Sequence, residues 1–251
     1  MSQGSLVSII TPSYKSERFI SQTIESVLSQ TYLNWEMIIV DDVSPDNSNS
    51  IIEEYIKKDD RIKLINLEKN SGPAVARNRA IKEAKGRYIA FLDADDLWMP
   101  EKLEKQIEFM TEYNLDLTYS SYKLIDENNN GLGKFITKDI ISYESLLKTN
   151  SIGCLTAIYD SKNLGKVYMP DIIKRQDYGL WLKILKKIGN TKGMLEPLAT
   201  YRILKSSVSS NKFIALLYVW KIYRNVEKLG FITSFYYICH FIYNGLRKYK
   251  G

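Results

Sequence analysis

Short apolar runs alternate with helix-like stretches through the first half of the chain, and three of the four runs end in polar clusters. The runs are residues 6–11, 37–40, 62–67 and 88–92. Runs this short between turn signals read as buried strands. Ser16 precedes an apolar stripe of Phe19, Ile20, Ile24, Val27 and Leu28. Ser48 likewise precedes Ile51, Ile52, Tyr55 and Ile56, so both serines are expected to cap helices. Gly72-Pro73 starts a third helix that Gly86 ends, and Pro100 opens a fourth through Tyr113. Strand–helix alternation of this kind implies a mostly parallel sheet covered on both faces. Ligands of such sheets gather at the carboxyl ends of the strands. Thr11-Pro12-Ser13-Tyr14, Asp41-Asp42 and Asp93-Ala94-Asp95-Asp96 all fall at those ends, so three polar clusters are expected on one edge.

The third cluster carries the sharpest chemistry. Three carboxylates lie within four residues, directly after a buried strand. Carboxylates this close repel one another unless a cation or solvent offsets their charge. Hard ions such as Mg²⁺ or Mn²⁺ take oxygen ligands and share their coordination sphere with substrate phosphates. The pattern points to an enzyme that handles a phosphorylated donor. The alternative is a polar strand-end loop that caps the following helix.

The second half is less regular. Residues 117–125 read as a strand, 126–133 as a turn or mobile loop, 142–149 as a helix and 155–159 as a strand. Residues 178–187 read as a helix with Gln176-Asp177 at its start. From Lys212 onward, aromatic and aliphatic residues mix with Lys221, Arg224, Lys228, Arg247, Lys248 and Lys250, which suggests two amphipathic helices joined near Gly230. The expected organisation is a domain over 1–210 and a helical extension over 211–251. The chain of 251 residues carries a net charge of +6, which suits an anionic partner such as a nucleotide, a polyprenyl phosphate or a membrane surface. Cys154 and Cys239 stand far apart, outside metal-ligand spacing, and fit a reducing cytosol. Residues 1–5 lack the basic and apolar regions of a signal peptide, and 231–246 is too short and too polar for a transmembrane helix.

The stretches VSIITPSYKSERFISQTIESVLSQTY, IIVDDVSPDNS, NSGPAVARNRAIKEAKGRYIAFLDADDLW and RQDYGLWLKI recur in the order and spacing of one family. Across residues 6 to about 190 the chain resembles a family 2 glycosyltransferase of bacterial polysaccharide biosynthesis. The resemblance implies the GT-A fold, a three-layer α/β/α sandwich with a C-terminal helical extension. It implies inverting, metal-dependent transfer of a hexosyl or N-acetylhexosaminyl unit from a nucleotide-diphosphate sugar, UDP-linked, to a hydroxyl of a growing surface glycan such as a capsule or O-antigen. In that family the DxD motif binds a divalent ion, Mn²⁺ or Mg²⁺. That role carries to Asp93 and Asp95, with Asp96 as ligand or ligand-orienting group, and to Asp93 for the donor diphosphate. Metal is suited to the task, because it neutralises the charge of a departing nucleoside diphosphate without proton transfer.

The same resemblance assigns the other site residues. Pro12, Ser13 and Tyr14 match the loop that packs on base and ribose. Asp42 is favoured to face a uracil-like imide N–H, because strand alternation sends Asp41 and Asp42 opposite ways. The alternative is an Asx-turn into Ser44-Pro45-Asp46, a job expected of one of the two. Asn70, Gly72, Arg77 and Asn78 match a loop and helix start that favours phosphate, although Arg77 equally suits a pair with a nearby aspartate. Asp177 matches the general base of an ED motif in which Gln176 replaces the usual glutamate. Losing a like-charged neighbour at a helix N-terminus predicts an ionised, weak base; the alternative is a helix cap. Tyr201-Arg202 matches a motif before a C-terminal loop, and Arg202, Lys205, Ser206, Ser207, Ser209 and Ser210 are expected to close over the diphosphate. His240 reads as structural or interfacial. The implied partners are the nucleotide sugar and a glycan or lipid-linked glycan, with no nucleic acid. The C-terminal helices read either as an interfacial membrane contact at the cytoplasmic face of the inner membrane or as a cap or homodimer contact. A sugar nucleotidyltransferase would need a glycine-rich basic loop that Thr11–Lys15 does not supply, and a non-catalytic scaffold would not need these acids.

Overall fold

The computed structural model of the chain describes residues 4–204 and 212–247. The apolar runs form β1 (Val7–Ser13), β2 (Trp35–Asp41), β3 (Ile62–Asn66) and β4 (Tyr88–Phe91). Helices α1 (Ile20–Leu28), α2 (Ser48–Ile56) and α3 (Pro73–Glu83) connect them. The four strands lie in the order β3-β2-β1-β4, every pair parallel, so the order reverses between β1 and β4. A crevice opens at the carboxyl ends on either side of such a reversal.

Period-two alternation divides the core. Ile10, Ile38, Val40, Ile89 and Phe91 face one side of the sheet, packed with α3 and later helices. Val7, Ile9, Met37, Ile39, Tyr88 and Ala90 face the other, against α1 and α2. Neither of the expected serine caps is the capping residue. The α1 N-cap is Phe19, with the Ser16 carbonyl accepting from the Phe19 and Ile20 amides, and Ser48 sits inside the first turn of α2. Both hydroxyls are spent on each other instead: Ser16 Oγ lies 3.2 Å from Ser48 Oγ, which binds Asp46 at 2.5 Å.

Beyond β4 the sheet becomes mixed. The two-residue β5 (Leu97–Trp98) follows the acidic segment, then α4 (Lys102–Glu112) and β6 (Leu117–Ile125). Residues 126–133, expected as a turn or mobile loop, begin with a tight turn closed by Asp126, and their last three already belong to a strand. The Asp126 carboxylate accepts from the Asn128 and Asn130 amides, each at 2.8 Å, and the chain returns as β7 (Gly131–Phe135) on β6. A short β8 (Ile140–Ser142) leads into α5 (Tyr143–Lys148), which Ser142 caps. Residues 154–156 make a 3-10 turn, so β9 begins only at Ile158 and runs to Asp160. A short α6 (Ser161–Leu164) precedes α7 (Gln176–Ile188).

The 13-residue β10 (Asn190–Arg202) has no counterpart in the sequence-based reading. It pairs parallel with β6 and carries a bulge around Pro197. Gly193 is needed within it, because an added Cβ would overlap the Tyr119 ring. The C-terminal segment is α8 (Lys212–Lys221), a π-helical turn (Ile222–Val226) and α9 (Phe231–Arg247). Val219, Ile222, Tyr223 and Ile238 join the same core as the apolar face of α7, so this segment packs on the sheet domain. Among the described residues no helix is long and apolar enough to cross a membrane.

Candidate active site

At the tip of β2 the two aspartates divide their work. Asp41 is buried, and its carboxylate accepts from the Ser44 amide at 2.8 Å and from the Ser44 hydroxyl, which is the turn expected for one of the pair. Asp42 accepts from the amides of Ser71 and Gly72 at 2.6 and 2.7 Å, while Asn70 Nδ2 donates to its carbonyl at 2.9 Å. The Asp42 side chain therefore fastens the loop that enters α3. Gly72 takes φ +87°, a region that excludes a Cβ at low cost. Val43, between these fixed groups, is β-branched and sits at φ +63°. Strain of this kind persists only where the surroundings over-determine it. Beside it, at the end of β1, Ser13 is buried and Tyr14 leaves 47% of its surface exposed. Pro12, half-buried, pairs in register with Val40.

Across the crevice, the acidic segment sits between two arginines. Arg77 of α3, buried, donates to Asp93 at 2.5 Å. Burial works against the Arg77 charge, yet the Asp93 carboxylate outweighs it and holds the guanidinium above its usual pKa. Arg77 Nε has no hydrogen-bond partner. Arg202, at the end of β10, lies beneath the segment with 2% of its surface exposed. Its Nε donates to the Asp95 carbonyl at 2.8 Å, Nη1 to Asn129 Oδ1 at 2.7 Å, and Nη2 to Gln22 Oε1 at 2.9 Å. The guanidinium stacks 4.5 Å from the Phe19 ring. Its own amide donates to Asp96 Oδ1 at 2.9 Å. The resemblance placed Arg202 over the diphosphate; the structure places it under the acidic loop, as a clamp. Lys205, Ser206, Ser207, Ser209 and Ser210 lie outside the described residues.

Three carboxylates thus become a pair with a support. Asp93 and Asp95 are half-buried, whereas Asp96 is buried and held by the Arg202 amide. Burial and then the charges of Asp95 and Asp93 push Asp96 well above the usual carboxylate range. Burial, followed by the Asp93 charge, raises Asp95 to about 6. Two oxygen-bearing groups that resist ionising together are what a cation would relieve, so Asp93 and Asp95 fit a hard divalent ion. Among the described residues no group of three or more histidine, cysteine, aspartate or glutamate side chains is arranged to hold a metal. Among the described residues no third protein ligand is in place, and Asp96 is engaged by the Arg202 amide in holding the loop.

Asp177 enters from the opposite helix. It lies in the first turn of α7, whose N-cap, Arg175, adopts the left-handed conformation at φ +60°. The charges of Arg77 and Asp93 both act on Asp177, which puts it in the same site as the acidic segment. The expectation of an ordinary ionised carboxylate is corrected here: burial raises the Asp177 pKa, and Arg77 only partly offsets it. Gln176 is buried and donates from Nε2 to the Ile173 carbonyl at 2.9 Å, so its neutral amide holds the preceding loop. Asn78 of α3 does the same from the other side. Its Nδ2 donates to the Met169 carbonyl at 3.0 Å, and its Oδ1 accepts from the Met169 amide at 2.8 Å. Cys154, on the 3-10 turn, is the residue the sequence reading left out of the site. Arg77, Asp93 and Asp177 all act on its thiol, which burial pushes well above its usual pKa.

This arrangement is that of a glycosyltransferase. The family model for glycosyl transferase family 2 matches residues 8–163, and the chain belongs to that family. The protein is 45% identical over 244 residues, 97% of both chains, to TuaG of Bacillus subtilis, a protein assigned to teichuronic acid biosynthesis as a glycosyltransferase. It is 42% identical over 247 residues to WfgD of Escherichia coli, a UDP-Glc:α-D-GlcNAc-diphosphoundecaprenol β-1,3-glucosyltransferase, covering 97% of this chain and 95% of that one. The fold matches Staphylococcus aureus TarS 1–349 in complex with UDP-GlcNAc at a TM-score of 0.71 and 23% identity, over 95% of this chain and 72% of that one. Family membership implies a mechanism dependent on a divalent metal.

Proposed function

We propose that this chain transfers a sugar, with inversion, from a UDP-linked donor to a hydroxyl of a lipid-diphosphate-linked saccharide, at the cytoplasmic face of the membrane, during surface polysaccharide assembly. The observation that carries the reading is the convergence of Arg77, Asp93, Asp95 and Asp177 on the crevice beside the β1–β4 reversal. The acceptor class is supported by the 42% and 40% identical relatives, both named as glucosyltransferases that act on GlcNAc-diphosphoundecaprenol.

Asp93 and Asp95 would hold Mn²⁺ or Mg²⁺, which supplies positive charge for the departing diphosphate. Arg77 fixes Asp93 and adds a permanent positive charge. Tyr14 offers an exposed ring to the base and ribose, with Pro12 and Ser13 shaping the floor beneath it. Asp42 and Asn70 secure the loop around Gly72 on the nucleotide side. Asp177 takes the proton of the acceptor hydroxyl as its oxygen attacks the anomeric carbon on the face opposite the diphosphate. The raised pKa makes Asp177 a stronger base once ionised than a solvated carboxylate. The test is nucleotide release by the purified chain from a panel of UDP- and GDP-sugars, with Mn²⁺ and a synthetic GlcNAc-diphospholipid. Acceptor-dependent release from a UDP-sugar is expected. Release from no UDP-sugar with this acceptor would overturn the reading.

A further inference from the structure

We propose that the outer face of α9 is the surface by which this chain docks flat on an anionic lipid bilayer. One side of α9 is committed inward: Ser234 and Ile238 are buried, and Tyr237 and Phe241 pack on the core. A helix at the surface of a water-soluble domain turns polar residues outward on its other side. Here Ile232 is 84% exposed, and Phe235, Tyr236 and Tyr243 are each about half exposed. These residues, with Cys239 and His240, line one continuous apolar surface at helical spacing. The helix is not long and apolar enough to span a membrane, so an apolar face of this kind lies in the plane of the interface.

Charge decides the occupant. Residues 231–247 contain no aspartate or glutamate. Residues 211–251 hold seven lysines and arginines against one acid, Glu227. That carboxylate is buried and taken by the Tyr143 hydroxyl at 2.6 Å and Lys186 at 3.2 Å. Lys221 and Lys228 are exposed before the start of α9, and Arg247, Lys248 and Lys250 follow in sequence at its end. Lys148 places its ammonium 6.0 Å from the Tyr236 ring. A second copy of this chain on the same face would bring these like charges together, whereas anionic headgroups complement them.

The placement also fits the chemistry. Phe241, on the inner side of α9, lies 5.7 Å from the Arg175 guanidinium and 5.9 Å from the Tyr178 ring. Arg175 and Tyr178 flank Asp177 by two residues and one. A docked α9 therefore lies against the start of α7, the turn that carries the base, on the side from which a lipid-borne acceptor would arrive. The inference rests on the acceptor class proposed above, and its deciding readout is vesicle flotation, with sugar transfer only as a control, so that the two can fail separately.

The test is flotation of the full chain with phosphatidylglycerol-containing vesicles and with phosphatidylcholine vesicles. The wild type is expected to float with the former. The Ile232→Glu/Phe235→Glu double variant should partition at least about tenfold less, with an unchanged thermal transition and unchanged transfer to a water-soluble, short-chain acceptor. Ile232→Ser serves as a milder second variant, expected to weaken flotation while leaving the fold intact. Absence of wild-type flotation, or flotation of the double variant equal to wild type, overturns the proposal. So does a wild-type dimer that ignores vesicles and dissociates on the double substitution, because α9 would then be a self-interface. Flotation without any sugar transfer would leave the docking in place and remove the acceptor assignment.

Discussion

Arg202→Met separates two roles for one side chain. Methionine keeps most of the length and apolar stem but removes the charge and every donor. Four side-chain bonds disappear, to the Asp95 carbonyl, the Asp126 carbonyl, Asn129 Oδ1 and Gln22 Oε1. Each bond from a charged donor contributes about 1.5–3 kcal/mol, and stranded buried acceptors add their desolvation cost. Gln22 and Asn129 line an open pocket, where water can replace the guanidinium, while Asp95 keeps only a half-buried position. Discounting the two solvated partners leaves a loss of roughly 3–5 kcal/mol, the range for breaking a buried charged contact. At about 2–4 °C per kcal/mol for a chain of this size, the thermal midpoint should fall by roughly 10 °C. The Arg202 charge also holds down Asp95, whose pKa already stands at about 6. Its removal should push Asp95 higher, so metal-dependent donor binding measured by calorimetry should fade at a higher pH than in the wild type. Arg202→Lys, which retains charge but not the fork, should restore the pH profile more than the stability. An unchanged midpoint together with weakened donor affinity at every pH would refute the clamp and return Arg202 to direct contact with the diphosphate.

Asp177→Asn should retain donor binding and lose transfer by about two to four orders of magnitude, read by nucleotide release with acceptor present. The same substitution should raise the thermal midpoint near neutral pH, because the folded-state pKa of Asp177 is raised by burial. Its protonated form suits the fold, so the advantage of the amide should shrink as pH falls toward the unfolded carboxylate value; an advantage that grows in acid would refute the burial argument. Asp95→Ala, or removal of divalent ions by chelation, should abolish calorimetric donor binding, and binding that survives both would remove the cation from the site. Asn78→Ala deletes both bonds to Met169 and should lower kcat with little change in donor KM, since it loosens the loop before Asp177 rather than the nucleotide side. A change confined to donor KM would place Asn78 on the wrong side of the crevice.

The parts of the fold legible in the sequence are those specified by contiguous residues. β1 to β4 are short apolar runs, and their parallel pairing follows from crossovers through amphipathic helices. The three polar clusters at one edge follow from the same rule without any knowledge of side-chain contacts. β10 was hidden because its local signals conflict: Gly193 and Pro197 are poor strand residues. Each is explained only by a partner, Gly193 by the Tyr119 ring and Pro197 by the bulge against β6. The turn after β6 was legible as a turn or mobile loop, whereas β7, glycine-rich and defined by its pairing with β6 once Asp126 gathers the turn's amides, was not.

The limits at the site have the same origin. Local capping rules describe Asp177 as an ionised carboxylate in the first turn of a helix, and the turn is as expected. Its pKa is set instead by burial among segments distant in sequence, with Arg77 and Asp93 of the acidic site acting on it. Arg202 is the sharper case. Its partners Gln22, Asp95 and Asn129 lie 180, 107 and 73 residues away, and no motif of two adjacent residues contains that information. What a motif can convey is which residue types meet; whether an arginine closes over a ligand or supports the loop from below depends on which side of a backbone it reaches. The Asp93–Asp96 segment shows the consequence directly. Its four residues are read as one acidic cluster in sequence, yet the fold gives the first carboxylate to Arg77, leaves the second open, and ties the last to the Arg202 amide. Cation affinity and loop rigidity thus come from different members of a single motif, and substitutions of Asp95 and Asp96 should fail for different reasons: the first by losing the ion, the second by losing the geometry that presents it.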